Sequence, residues 1–175
     1  GGGAAGVDTA TGAAGGAGAQ GVVAVFSYRS GADLAEYYET KDGVEAGDVV
    51  AISQDSFEYN SLLGLQKMAI MEKATPGSKV VGVVSSAPFQ SIGYDVLGSS
   101  RRPRPVALAG RVPVRVSEKN GQIKAGDALT VSSIPGVAMR ATKSGVTIGR
   151  ALEDSNCKEG KECKVLILVN TTYST

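Results

Sequence analysis

One phrase occurs twice in the chain, and it constrains the fold more than any other feature. Ala46-Gly47-Asp48-Val49-Val50-Ala51-Ile52-Ser53 aligns position for position with Ala125-Gly126-Asp127-Ala128-Leu129-Thr130-Val131-Ser132. Downstream of each, residues 67–86 and 137–151 keep an adjacent Met and Ala, an Ala-Thr step, a glycine turn and a Val/Ile-Gly run. Two copies of strand, connector, strand, turn and strand, over about 44–87 and 123–152, predict a pseudo-twofold unit with one shared core. In each copy the Gly-Asp pair (Gly47-Asp48, Gly126-Asp127) is expected to turn the chain. Glycine takes a positive φ there and aspartate bonds its own backbone. The fold class that follows is all-β, a compact β-barrel or sandwich-like domain.

The remaining segments are read around that repeat. Residues 79–85 form an unbroken apolar run, a buried strand. Residues 67–74 have helix-forming composition, but the repeat requires a strand. Residues 54–65 read as a polar, irregular, exposed insertion, and 88–105 as a long loop. In that loop Arg101, Arg102 and Arg104 alternate with prolines, a pattern that grips phosphate or simply extends into solvent. Residues 106–116 alternate as a half-buried strand, with Pro113 placing it at an edge or bulge. Asn120-Gly121 predicts a hairpin turn. Residues 164–170 are too apolar for a solvent edge.

Ahead of this body lies a segment of different character. Residues 1–21, from Gly1 to Gly21, hold nine glycines and seven alanines. So little apolar side chain cannot offset the entropy of ordering. The division expected is an arm, 1–32, and a β-rich domain, 33–175. A Gly/Ala segment becomes ordered where neighbouring surfaces hold it, which points to packing between subunits, as in a fibre or filament. The strand-like run Val22-Val23-Ala24-Val25-Phe26 either pairs with a neighbour's sheet edge or within its own domain.

Composition removes several classes of function. Histidine is absent, which excludes His-based triads, His metal sites and His pH switches. With 18 basic and 17 acidic residues, no global field draws the chain to nucleic acid. No apolar run approaches the roughly 18 residues of a membrane span. No metal or cofactor constellation is expected. The start lacks an initiator Met, as expected of a processed or truncated product, which leaves room for a secretion signal already removed. Cys157 and Cys163 flank a polar turn centred on Gly160, so a disulfide is expected, and with it an extracellular, cell-surface or virion location. Tyr28, Tyr37, Tyr38, Tyr59 and Tyr94 allow a carbohydrate-binding module, although without Trp a stacking platform is weak.

One acidic stretch suggests chemistry. In Asp33-Leu34-Ala35-Glu36-Tyr37-Tyr38 the two carboxylates share a face on a helical turn and point apart in a strand. A paired dyad activates water, or Asp33 attacks the carbonyl of Ala32 through a six-membered ring. The structural alternative is that Asp33 caps a turn and Glu36 pairs with a cation. These residues, with Gly47-Asp48 and Val81-Gly82-Val83-Val84-Ser85, resemble the autocleaving intramolecular-chaperone domain of phage neck appendages and tail spikes. The phrases from Pro105 to Val114 and from Pro135 to Met139 resemble bacterial surface-protein C-terminal domains. The phage resemblance implies a domain that helps a fibre assemble and then cuts itself off before the aspartate of an Asp-x-x-Glu motif. Here that is the Ala32–Asp33 bond, with Asp33 and Glu36 as the acidic pair. In that family a serine precedes the cut, where this chain has Ala32. The sequence therefore leads to a self-assembling structural subunit whose partners are copies of itself, with autoproteolysis as the alternative.

Overall fold

The computed structural model describes residues 32–61, 64–94, 102–158 and 160–174. The arm residues Gly1, Gly21, Val22, Val23, Val25 and Phe26 lie outside the described residues, as do Tyr28 and Arg101. Every regular element described is a strand. In chain order these are β1 (Ala32–Glu39), β2 (Val49–Ser61), β3 (Gly64–Lys73), β4 (Val80–Val84) and β5 (Gln90–Ile92). There follow β6 (Pro103–Val116), β7 (Ala128–Val131), β8 (Ala138–Arg140), β9 (Gly145–Ala151) and β10 (Cys163–Ser174).

The two copies of the sequence phrase fold with the same hydrogen bonds. Gly47 and Gly126 have φ of 94° and 92°. The N–H of Glu45 donates to Asp48 Oδ2 at 2.8 Å, and that of Lys124 to Asp127 Oδ2 at 2.9 Å. Each glycine N–H then reaches the last strand of its own unit, Gly47 to the Val84 carbonyl and Gly126 to that of Ala151, both at 2.8 Å. Ala74 and Ala141 close the middle of each unit on the Val49 and Ala128 carbonyls, at 2.9 and 2.8 Å. Even the serine turns agree, since Ser53 and Ser132 each accept the N–H two residues on at 3.1 Å. One sequence motif thus dictates one local bonding pattern, used twice.

The strands join in one sheet ordered β10-β9-β7-β8-β6-β4-β2-β3. A further pairing of β10 with β6 closes β6, β8, β7, β9 and β10 into a ring. The main core lies inside, built from Val112, Val114, Ile123, Leu129, Ile148 and Ile167, all fully buried. Along β2, β4 and β6 the opposite face is buried as well. Val50, Val84 and Val106 form a second cluster with Val44 and Met71, while their neighbours Val49, Val83 and Ala107 belong to the first. Strands covered on both faces read as continuous apolar runs, as residues 80–84 do. The fold's cores need few aromatics because Val and Ala supply their volume. Each buried Val still contributes about 1.5–3 kcal/mol.

Four sequence expectations are corrected. Of the expected irregular stretch 54–65, residues 56–61 and 64–65 are regular: β2 and β3 continue as a two-stranded ribbon paired from Ser56↔Ala69 to Ser61↔Gly64. Cross-strand pairing gives order to polar residues that their own propensity does not. The expected loop 88–105 contains β5, parallel to β1, and the start of β6. Pro113 sits on a central strand, paired with Leu166 of β10. The Arg115 N–H points away from β10, to the Gly47 carbonyl, so the Pro113 nitrogen two residues earlier faces that side too and removes no β6–β10 bond. Asn120-Gly121 does turn the chain, with the Gly121 N–H on the Glu118 carbonyl at 2.8 Å. No hairpin results, because β6 runs parallel to β8 and the following residues are claimed by the second repeat unit.

Candidate functional site

β1 lies between β5, which it pairs in parallel, and β6, which it pairs antiparallel. It is extended throughout, so residues two apart share a face and residues three apart do not. The burial pattern follows: Asp33 and Ala35 are buried while Leu34 is exposed. Asp33 and Glu36 therefore leave opposite faces of one strand, and the structure does not bring them together as a dyad.

Asp33 is the more unusual of the two, being only 3% exposed. Its Oδ2 has no hydrogen-bond partner. The Ser85 hydroxyl, itself buried just beyond β4, bonds the carboxylate. Burial pushes the Asp33 pKa above its ordinary 3.8, and the Ser85 bond offsets part of that rise. The Asp33 carbonyl accepts the Phe89 N–H at 3.1 Å, which ties the start of β1 to the entry of β5.

The backbone around the Ala32–Asp33 bond is equally constrained. Ala32 and Asp33 face Arg111 and Gly110 on β6. Gly110 has a φ of 99°, and the register slips between Leu34 and Ala35, leaving Leu108 unmatched on β6. A side chain at position 110 would overlap the Ala32 carbonyl oxygen and stand 2.6 Å from Asp33 Cα. Only glycine lets β6 lie this close to that peptide.

Glu36 has a different setting. It accepts the Tyr38 hydroxyl at 2.7 Å, across the i, i+2 spacing of one strand face. Burial, together with that carboxylate, pushes the Tyr38 phenol well above its usual range. Tyr38 also packs on the second core cluster. Tyr37 meets Tyr94 edge-to-face, with centroids 4.9 Å apart, and Tyr59 lies by Phe57. The described tyrosines are thus dispersed over several contacts.

The other predicted sites fall as follows. Cys157 and Cys163 form a disulfide. Asp48 is fully buried and does more than turn the chain: it pairs with Arg115 at 2.7 Å and Lys73 at 3.1 Å. Asp127 makes the same turn bonds but no ion pair among the described residues. Arg102 pairs with Asp42, and Arg104 bonds the Val44 and Pro103 carbonyls, so these arginines do not converge on one point. Among the described residues no group of three or more Cys, Asp or Glu could hold a metal ion, and no helix is long and apolar enough to cross a membrane. Sequence reasoning missed Ser85, Gly110 and the Tyr38–Glu36 bond. A lone glycine interrupting the apolar alternation of 106–116 was the one available signal, since such a residue marks close backbone approach.

Two solved structures share this fold. The C-terminal fragment of bacteriophage phi29 gene product 12 superposes with a TM-score of 0.53 at 19% identity, over 79% of this chain and 100% of that one. Pre-mature gene product 12 of the same phage gives 0.51 at 18% identity, over 79% of this chain and 21% of the longer protein. No protein-family model and no curated protein sequence matches the chain.

Proposed function

We propose that this chain is a self-assembling structural domain of an extracellular or virion-associated appendage, with residues 1–21 acting as a packing arm on neighbouring copies. One observation carries the reading. The match takes in the whole of a phage C-terminal fragment but only about a fifth of the longer pre-mature protein, so its fold corresponds to a C-terminal module of a phage gene product. The near-balanced charge and the disulfide are compatible with crowded packing outside a reducing cytoplasm. Sedimentation of the full chain tests it. An oligomer is expected, reduced in size when residues 1–21 are deleted. A monomer at all concentrations, with or without the arm, would sink the assembly role.

A second reading is favoured by a separate observation, the buried and unpartnered Asp33 oxygen beside the Ala32–Asp33 peptide. In this reading Asp33 attacks the Ala32 carbonyl carbon through a six-membered ring. The C–N bond breaks, and the proton of the neutral carboxyl form, which burial favours, passes to the leaving nitrogen. Water then hydrolyses the anhydride, leaving a carboxylate on Ala32 and a free amine on Asp33. Glu36 leaves the other face of β1, so its role here is to hold Tyr38 and the strand. Mass spectrometry of freshly made protein is the check. A fragment beginning at Asp33 should appear, vanish in Asp33→Ala and persist at a reduced level in Glu36→Ala. Intact mass in the parent chain after prolonged incubation removes the reading.

A further inference from the structure

The two repeat units provide a control for each other. Their bonding agrees up to Ser53 and Ser132, and again from Ala74 and Ala141. Between those points residues 54–69 stand where the second unit has only residues 133–136. The second unit closes its core without a ribbon, so the shared bonding pattern does not require the long β2–β3 ribbon, whose Ala69 packs on the second core cluster.

The ribbon has the features of a contact surface. β2 pairs with β4 only over Val49–Ala51, and beyond Ile52 its sole strand partner among the described residues is β3. The far edge of β3 from Leu65 to Ile70 pairs with nothing among the described residues. A two-stranded hairpin is marginal in water by itself. Its register sets Phe57 opposite Met68 and Tyr59 opposite Gln66, so one face is largely apolar and only half-buried, with Phe57 and Tyr59 rings 5.8 Å apart. On the other face Leu65 is 64% exposed. Unpaired backbone beside apolar side chains is what an added strand needs.

We infer that the β2–β3 ribbon is a docking surface for the same ribbon of a second copy of this chain. Charge selects that occupant. Lys67 stands opposite Glu58, the ribbon edge carries no proline, and the whole chain has a net charge of +1, so copies do not repel. A foreign partner recognised electrostatically would leave a one-signed patch, which the ribbon lacks. Antiparallel pairing of two β3 edges would be self-complementary, each apolar face meeting its equivalent.

This inference rests on the assembly reading and extends it to a named interface. The test replaces residues 54–69 with Ser-Ile-Pro-Gly, the connector of the second unit, in the otherwise full chain. Sedimentation should show at least a tenfold weaker self-association, with the β circular-dichroism signal retained. A second variant, Phe57→Glu, leaves chain length unchanged and should weaken association similarly, so misfolding of the first does not decide the matter. If both variants associate as tightly as the parent, the ribbon interface is wrong while the assembly role stands. If the parent itself never associates, both fail.

Discussion

At the scale of single residues, Asp33 is where burial and charge conflict. Its ionised form has lost water, gained one Ser85 bond and kept one oxygen without a partner. A carboxyl whose folded pKa lies above its unfolded value favours folding below the unfolded value, and that advantage is lost as pH rises through the raised folded value. Asp33 should therefore penalise the neutral-pH fold, with the window opening above 3.8. Asp33→Asn is expected to be about 1 kcal/mol more stable than the parent at pH 7, with the difference vanishing below that window. Urea unfolding between pH 3 and 8 measures this, and an Asn variant less stable at pH 7 would contradict it. The Asp-x-x-Glu spacing drew attention to this residue, but nothing adjacent in the chain pointed to Ser85.

At the scale of elements, the repeat places a glycine at the tightest strand contact in each unit. A methyl on Gly82 would overlap the Ala107 carbonyl oxygen, and one on Gly149 that of Leu168. These are β4 against β6 and β9 against β10, the pairings that seal each unit. Gly82→Ala and Gly149→Ala should each cost about 1–3 kcal/mol through forced separation of strands. Gly126→Ala meets open space and should cost about 1–2 kcal/mol through its left-handed φ alone. Amide exchange separates the mechanisms: only the first two should speed exchange along the neighbouring strands. Equal protection in all three variants would refute the close-contact account.

At the scale of the whole molecule, Asp48 joins the units. Besides its turn it holds Lys73 of β3 and Arg115 of β6, and Arg115 in turn pairs with Glu162 ahead of β10. The second unit's Gly136 accepts the Val49 N–H and donates to the Ala74 carbonyl, and a side chain there would crowd the Asp48 carboxylate at 3.0 Å. Removing this fully buried partner takes that counter-charge from Lys73 and leaves Arg115 with Glu162 alone. Asp48→Ala should cost about 3–5 kcal/mol, against about 1 kcal/mol for Asp127→Ala, whose turn bonds are the same in kind. Denaturant midpoints for the two variants give the comparison, and equal losses would show that the ion pairs contribute nothing net.

The sequence by itself determined the all-β class, the doubled Gly-Asp turn and its following strands, and the disulfide between Cys157 and Cys163. Each is local chemistry: an eight-residue phrase carries its own turn, alternation and caps, and two cysteines around a short polar turn are already close. Tertiary structure alone decided that Asp33 and Glu36 face apart, that Gly110 lies against the Ala32–Asp33 peptide, that Pro113 belongs to a central strand and that residues 56–61 and 64–69 form a paired ribbon. Those outcomes depend on which strand lies beside which. Cross-strand partners far apart in the chain leave no spacing to read, and the same side chain is buried or exposed according to the register that the sheet adopts.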